Sequence, residues 1–404
     1  MYIIVGQGIA GATAAAELRK QDRHSQVTVI TNEHDYLYNR IDLPDIIAGK
    51  YKSSETLLKR AEDFDCLGIN CVMGEKVTAV LPARKTVEIS SGQRFQYHKL
   101  LLATGSRPVM PPIVGSTAAG VYSLWTMRQA EEIIDAASKA RSVVVIGAGL
   151  IGLKTALALK KRGLKVTVVE KLQRVLPRQL DDAASEILCD RLRDMGIAIL
   201  VNAGVEGIAA INGAVSGVQL DNGSLPADMV IMSIGVTPNI ELAVSAGIRI
   251  GQGIIVNEFL QTSMPDIYAA GDAAETFDSV TGASTVPATW PVAVEQGRIA
   301  ACNMGGRKEI YDGSFAMNAV EVGGIPLVSI GDIAGRPGDY VLADRRGDKY
   351  RKVVIRDNVL RGVLFMGDIR QAGVIGALIS SRARLGNYEK LISPYFSFAD
   401  LIAE

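Results

Sequence analysis

The sequence predicts an α/β protein: two strand–glycine-loop–helix units on parallel sheets, with a smaller α+β segment towards the C-terminus. Three observations predict it. A strand, a Gly-x-Gly-x-x-Gly loop and a helix follow one another twice, over 2–20 and 142–162, with the loops 141 residues apart. The composition suits sheets buried on both faces, with 41 glycines, 48% hydrophobic residues and only 5% aromatic ones. From about Arg307 the texture changes to several short strands and then one helix.

A chain of 404 residues has room for two to three domains. Its 43 basic and 43 acidic residues cancel, so it has no global attraction for nucleic acid or anionic lipid. Four cysteines make no disulfide scaffold. No uncharged run reaches the ~18 strongly apolar residues of a membrane span. The apolar start, Met1 to Ala16, lacks a basic flank and is broken by glycines, so it reads as strand plus helix. The cytoplasm is the expected compartment.

In chain order, a strand over 2–5 leads into Gly6-Gln7-Gly8-Ile9-Ala10-Gly11, a helix to about residue 20 and a strand over 27–31. Strands follow at 77–80, 86–89 and 99–102, with a turn at Ser90-Ser91-Gly92. The Pro-rich run 107–112 reads as a connection between domains. The second unit has a strand over 142–146, then Gly147-Ala148-Gly149-Leu150-Ile151-Gly152, a helix to about 162 and a strand over 165–170. A hairpin turns at Asn212-Gly213 between 205–211 and 214–220, and a buried strand covers 229–234. Beyond 307, strands are expected near 317–322, 327–330, 352–356 and 360–366, and a helix near 370–385.

A glycine loop of this kind binds a dinucleotide for physical reasons. The first glycine makes the tight turn, the second lets backbone approach the pyrophosphate, and the third lets helix pack on strand. The helix N-terminus then stabilises the phosphate charge. Each loop here sits between a strand and a helix, and each strand that follows ends near an acid. Glu170 stands 23 residues after Gly147, where a carboxylate accepts hydrogen bonds from both ribose hydroxyls and repels a 2′-phosphate. NADH is therefore favoured over NADPH, a preference that Lys171 and Arg174 weaken slightly. Glu33 is the corresponding acid of the first unit.

With these residues in place, the chain resembles the two-dinucleotide flavoprotein reductases, which bind FAD in the first unit and NAD(P)H in the second. Ala103-Thr104-Gly105 resembles the family's turn from FAD to NAD domain, and Ser233 to Asn239 its return. Thr262 to Asp272 is the most specific match: its last residue, Asp272, is where the family holds the FAD ribitol. Trp290 to Gly297 resembles the helix that borders the flavin ring. Within the family the look is towards NADH:rubredoxin reductases and the flavin module of assimilatory nitrite reductase, supported by Met317-Asn318-Ala319-Val320-Glu321 and Gly367-Asp368-Ile369.

The resemblance implies a glutathione-reductase-like fold. Its FAD-binding domain would cover 1–107 and 236–306, its NAD-binding domain 108–235, and a C-terminal interface or dimerisation domain 307–404. It implies FAD contacts at Gly6, Gly8, Ile9, Ala10, Gly11, Glu33, Arg40, Val77, Ala103, Thr104, Gly105, Gly271 and Asp272. NAD contacts would be Gly147, Gly149, Leu150, Ile151, Gly152, Glu170 and Gly235. Glu295 falls on the flavin-bordering helix. Relatives carry a Lys and a Glu that pair beside the flavin N5; here Asp45 and Lys154 stand in those places, and a pair of reversed sign is expected. No side chain need act as a nucleophile, since the cofactor carries the chemistry.

Many relatives relay electrons through a Cys-x-x-x-x-Cys pair, and Cys66 and Cys71 have that spacing. The surroundings argue against it: Cys66 closes a helix, Gly68 suits its C-cap, and Cys71 lies in an apolar strand. Other relatives carry one cysteine shortly after the ribose-binding acid, but Tyr38-Asn39-Arg40-Ile41-Asp42-Leu43-Pro44 has none. The expected partner is therefore a one-electron redox protein: rubredoxin, ferredoxin or an iron–sulfur subunit. Alternatives are a flavoprotein subunit that passes electrons to NAD⁺, a thiol–disulfide or peroxide reductase using Cys66 and Cys71, and a redox sensor. The last would use a change of oligomeric state as its output.

His24, His34 and His98 are too scattered for a metal site. Between Arg345 and Arg361 lie seven basic residues against Asp348 and Asp357. These would attract an acidic carrier or, more simply, form the wet face of an antiparallel sheet. The aromatic tail Tyr395-Phe396-Ser397-Phe398 would pack on its own domain or dock a second chain.

Overall fold

A computed structural model of the chain describes residues 1–393, 395, 396 and 401. These divide into two compact units. The first comprises Met1–Arg40, Lys52–Arg107 and Val236–Ser314; the second comprises Ile41–Tyr51, Pro108–Gly235 and Phe315–Glu404. Ser397 and Phe398 of the aromatic tail lie outside the described residues.

The first unit is built on a five-stranded parallel sheet ordered Ile267–Ala269, Lys99–Leu102, Tyr2–Val5, Val27–Ile30, Ile69–Val72. Alternate residues of each strand feed two cores. Ile4, Val27, Val29 and Leu101 point to one face, under helices Ile9–Gln21 and Trp290–Met304. Ile3, Val5, Ile30, Leu100 and Leu102 point to the other, with Val80, Val87 and Ile89 of a three-stranded antiparallel sheet. The run of alanines in Ile9–Gln21 serves both propensity and packing. A side chain at Gly297 would meet the Ala10 carbonyl oxygen at 2.3 Å, so only glycine lets the two helices approach this closely.

The second unit repeats the plan. Its parallel sheet runs Ala198–Leu200, Lys165–Val169, Ser142–Ile146, Met229–Met232, Val121–Tyr122. The antiparallel strands Val205–Ile211, Ala214–Leu220 and Gly223–Pro226 cover one face, burying Ile208, Val215 and Val218 against Val144, Val230 and Met232. In both sheets the chain goes outward from the strand before the glycine loop and later returns to that strand's other side. The reversal leaves a switch point at the strand's carboxyl end, the site of ligands in open α/β sheets.

The same unit holds a five-stranded antiparallel sheet ordered Met317–Val322, Ile325–Gly331, Val359–Met366, Lys349–Arg356, Tyr340–Arg346, and helix Ala372–Ser381. No helix among the described residues is long and apolar enough to cross a membrane.

Candidate functional site: two glycine cradles

The glycines of the two loops carry matching steric constraints. Gly6 has φ +106° and Gly147 φ +105°, a region L side chains rarely adopt. A side chain at Gly6 would meet the Ala103 carbonyl oxygen at 2.1 Å, and one at Gly147 the Ser233 carbonyl oxygen at 2.2 Å. Both carbonyls come from the chain just beyond the strand across the switch point. Gly11 and Gly152 let each helix rest on its own loop, with a Cβ only 2.0 and 2.1 Å from the Gly6 and Gly147 carbonyl oxygens.

Gly8 and Gly149 are different. Nothing lies within 4 Å of where their side chains would be. Each is the N-cap of its helix, with ψ 177°, and neither first turn carries an acid. Free backbone N–H groups and the positive end of a helix dipole border that space. It fits a pyrophosphate in charge and in room. Of the neighbouring residues, Ala10 is buried, Ile9 and Leu150 half-buried, and Ile151 exposed.

Around the first cradle, Glu33 accepts hydrogen bonds from the Tyr38 hydroxyl at 2.7 Å and from the Arg40 guanidinium. Ala103 donates its N–H to the Val5 carbonyl at 2.9 Å. Thr104 donates its hydroxyl to the Asn239 carbonyl and accepts from the Asn239 amide, both at 2.8 Å, while the Asn239 N–H bonds Gly105 at 2.9 Å. Gly105 takes φ +66°. Val77 is buried in strand Val77–Leu81.

Gly271, at φ +75°, turns the chain so that Asp272 accepts from the Ser106 hydroxyl at 2.7 Å. Burial pushes the Asp272 carboxyl above its usual range, against the pull of Ser106 and Arg40. A carboxylate in so dry a place needs donors. The hydroxyls of a ribitol chain would supply them. The Gly271 N–H is held by Gln296 Oε1 at 2.8 Å, and the fully buried Gln296 donates onward to the Tyr311 hydroxyl at 3.2 Å.

Around the second cradle, the buried Glu170 accepts from the backbone N–H groups of Ala148 at 2.8 Å and Leu172 at 2.9 Å. Two backbone bonds fix the carboxylate beside the glycine loop and leave it lone pairs for ribose hydroxyls. Gly235 has φ +119° and open space at its Cβ position.

Asp45 makes an ion pair with Lys50 at 3.6 Å. Among the described residues the ion pairs within 4.0 Å do not join Asp45 to Lys154, which is half-buried on helix Leu150–Lys161. Lys50 is one short helical turn beyond Asp45 and captures it locally. Glu295 is exposed on its helix, and the protein packed around it pushes its carboxyl up, with Asp312 and Glu309 adding to the effect and Arg298 opposing it.

The cysteines are all free. Cys66 ends helix Ala61–Cys66, Gly68 follows at φ +60°, and Cys71 lies in strand Ile69–Val72 beside Val29. Burial pushes the Cys71 thiol up to about 11, so it carries almost no thiolate at neutral pH. No group of three or more His, Cys, Asp or Glu suited to a metal ion occurs among the described residues.

The basic stretch is largely neutralised by its neighbours. Arg345 pairs with Glu186 at 2.6 Å, Arg346 with Asp344 at 2.8 Å, Lys352 with Asp181 at 3.2 Å and Arg356 with Asp339 at 2.6 Å. Arg351 is buried against the Phe365 ring, 3.8 Å from its centroid. Phe396 is buried, while Tyr395 is exposed under the Arg370 guanidinium.

Sequence reasoning gave no role to Ser106, Ala148 or Tyr311, and quoted Gln296 and Asn239 only within motifs. Ala148 could not be found by side-chain chemistry, since both of its contributions are backbone. Gln296 had a signal: an amide next to a glycine that must be buried needs a buried partner.

Two such cradles on one chain define the class of two-dinucleotide oxidoreductases. Residues 1–297 match the pyridine nucleotide-disulphide oxidoreductase family, and residues 317–383 match the rubredoxin NAD⁺ reductase C-terminal domain. The chain is 34% identical over 375 residues to the assimilatory nitrate reductase electron transfer subunit of Bacillus subtilis, covering 91% of this chain and 48% of that one. It is 38% identical over 316 residues to an NADH oxidase of Methanocaldococcus jannaschii, covering 75% and 70%. It thus spans about half the length of the first relative. Among solved structures, the covalent putidaredoxin reductase–putidaredoxin complex matches with a TM-score of 0.89 at 27% identity, over 97% of this chain and 95% of that chain. The chain belongs to the pyridine nucleotide-disulphide oxidoreductase family. The cofactors of this family and its reductase members are FAD and NADH, and the two cradles fit them.

Proposed function

We propose that the chain is an FAD-dependent, NADH-linked reductase that exchanges single electrons with a redox protein. In this reading residues 1–107 and 236–306 hold FAD, 108–235 take NADH, and 307–404 form the interface domain. The observation that carries it is the pair of open middle glycines, Gly8 and Gly149, each at a helix N-terminus free of acids. FAD, when bound, converts the two-electron hydride of NADH into one-electron steps. The protein's residues bind and orient. Gly8 and the first turn of Ile9–Gln21 receive one pyrophosphate, Glu33 faces the FAD ribose, and Asp272 accepts from the ribitol. Gly149 and Glu170 do the same for NADH.

A one-electron protein partner is favoured over a thiol relay because no cysteine follows Tyr38-Asn39-Arg40, and the Cys71 thiol is held neutral. Rubredoxin is the first partner to try, given the match of residues 317–383; ferredoxin and an iron–sulfur subunit follow. The cytoplasm, where NADH and free thiols are found, is the compartment this reading favours. The test is steady-state reduction of oxidised rubredoxin or ferredoxin by NADH with the FAD-loaded protein. Turnover that saturates with the carrier supports the proposal. Turnover with peroxide or a disulfide alone, lost in a Cys66→Ser, Cys71→Ser variant, would overturn it.

A second reading has one supporting observation. A relative 29% identical over 391 residues, covering 95% of this chain and 92% of its own length, is the NADH-dependent phenylglyoxylate dehydrogenase subunit epsilon of Aromatoleum evansii. In that reading the chain is the flavoprotein component of a larger assembly and passes substrate electrons to NAD⁺. Copurification with an iron–sulfur subunit would distinguish it.

A further inference from the structure

The basic strand of the C-terminal sheet has an occupant within its own unit, and that occupant is joined to the second cradle. Asp181 is the N-cap of helix Asp182–Asp194, its carboxylate accepting the Ala184 N–H at 3.1 Å. The same carboxylate accepts the Tyr350 hydroxyl at 2.7 Å and pairs with Lys352 at 3.2 Å. Tyr350 is buried, and the Lys352 side chain is only 13% exposed. Partly enclosed charge-assisted bonds of this kind hold geometry far better than surface pairs do. Farther along the helix, Arg345 meets Glu186 at 2.6 Å and Arg191 donates to the Gly323 carbonyl at 2.8 Å.

Asp181 ends the loop that begins at Glu170, and this loop has no slack. Glu170 holds the Ala148 N–H, and the Leu176 N–H returns to the Ala148 carbonyl at 3.0 Å. Both backbone groups of the residue between the first two glycines are therefore fixed by this loop. Val175, Leu176 and Leu180 are buried, and the Ser185 hydroxyl donates to the Val175 carbonyl at 3.2 Å. Leu176 itself takes φ +46°, a conformation a leucine keeps only when its surroundings overdetermine it. The strained residue is held at one end by the glycine loop and at the other by the helix that Asp181 caps.

We infer that Asp181, Tyr350 and Lys352 form a positioning clamp through which the C-terminal sheet sets the shape of the NADH-ribose loop. The clamp touches no cofactor. It acts through Leu176 and Ala148 on the N–H groups and the Glu170 carboxylate of the cradle. This rests on the reading of the second cradle as the NADH site. A nucleotide would then be bound more tightly with the sheet docked than without it.

The experiment measures the dissociation constant of NAD⁺ by calorimetry on the FAD-loaded full chain. Wild type is compared with Tyr350→Phe, Lys352→Met and Glu186→Gln. Tyr350→Phe keeps the ring and its packing, and Lys352→Met keeps the aliphatic stem. Each should weaken NAD⁺ about threefold to tenfold, leave FAD content unchanged, and raise the KM for NADH with kcat at saturation preserved. Glu186→Gln breaks a contact between the same helix and sheet, but one not attached to the loop. It should leave NAD⁺ affinity at the wild-type value. Unchanged affinity in both clamp variants, or an equal loss in Glu186→Gln, would overturn the inference and leave the contacts a purely structural role. A wild-type chain that binds no NAD⁺ would instead remove the nucleotide reading itself, and the clamp with it.

Discussion

The two glycine cradles share a backbone plan but differ in what completes them. The first is finished by side chains from several segments: Arg40 and Tyr38 on nearby Glu33, Ser106 on the distant Asp272, and Gln296 on the Gly271 turn. A second helix, Trp290–Met304, backs its glycine helix at backbone distance through Gly297. The second cradle is finished mainly by its own backbone, with Glu170 bonded to Ala148 and Leu172 and Leu176 bonded to Ala148. A site assembled from many segments suits a group that stays. A site preformed by local backbone suits one that must come and go, because little has to be ordered at each arrival. In the proposed reading one Gly-x-Gly-x-x-Gly plan serves both a resident cofactor and an exchanging one, and the difference is in the supporting residues.

Two substitutions would break the symmetry most severely. A valine at Gly8 or at Gly149 enters open space in the protein, so the fold should survive, but it fills the phosphate position. The expected cost is about 3 kcal/mol or more, roughly a hundredfold in affinity. Gly8→Val should purify without flavin colour and with native circular dichroism. Gly149→Val should keep its flavin and lose NADH binding in a direct titration. Colourless protein in both would mean the second loop also supports FAD.

A smaller change sharpens the second site alone. Glu170→Gln removes the charge that two backbone N–H groups and the ribose share, a loss of about 1.5–2 kcal/mol. NADH should weaken roughly tenfold, whereas NADPH should not weaken, since the repulsion of its 2′-phosphate is relieved. The ratio of the two KM values reads this directly.

The smallest effect is expected at the thiols. Cys66→Ser with Cys71→Ser should change turnover less than about twofold, since Cys66 is exposed and the Cys71 thiol is held neutral, with Gln7 donating to its sulfur at 3.8 Å. Iodoacetamide followed by mass spectrometry should label the exposed Cys66 well before Cys71 at pH 7–8. With its thiol pushed up to about 11, Cys71 gains thiolate only as pH rises towards that value, so its labelling should accelerate with pH through that range.

Much of this organisation was legible in the sequence, because glycine and acid positions are read by number. Strands Thr86–Ile89, Lys99–Leu102, Val205–Ile211 and Ala214–Leu220 fall where the apolar runs and turn residues put them. Strand Tyr340–Arg346 was not foreseen. It is an edge strand, almost entirely exposed and closing on Ala-Asp-Arg-Arg, so it lacks the apolar alternation that marks a half-buried strand. The expected partnership of Asp45 and Lys154 is another instructive case. Family position suggested it, but Lys50 lies nearer along the chain, and the short helix Leu43–Ile47 brings that lysine to Asp45. The ion pairs of the basic stretch with Glu186 and Asp181 were not legible, because those acids are distant in sequence. Backbone contributions such as those of Ala148 leave no trace in residue type.

The central claim is that electrons pass between NADH and a one-electron protein through FAD alone. Anaerobic mixing of the FAD-loaded chain with one equivalent of NADH, followed by oxidised rubredoxin or ferredoxin, tests it most directly through the flavin absorbance. The account predicts that the flavin bleaches and then recovers its colour on the carrier's addition, with the cysteine double variant behaving as wild type. A flavin that stays bleached with every one-electron carrier, but recovers with a disulfide or peroxide only while Cys66 and Cys71 are present, would contradict it.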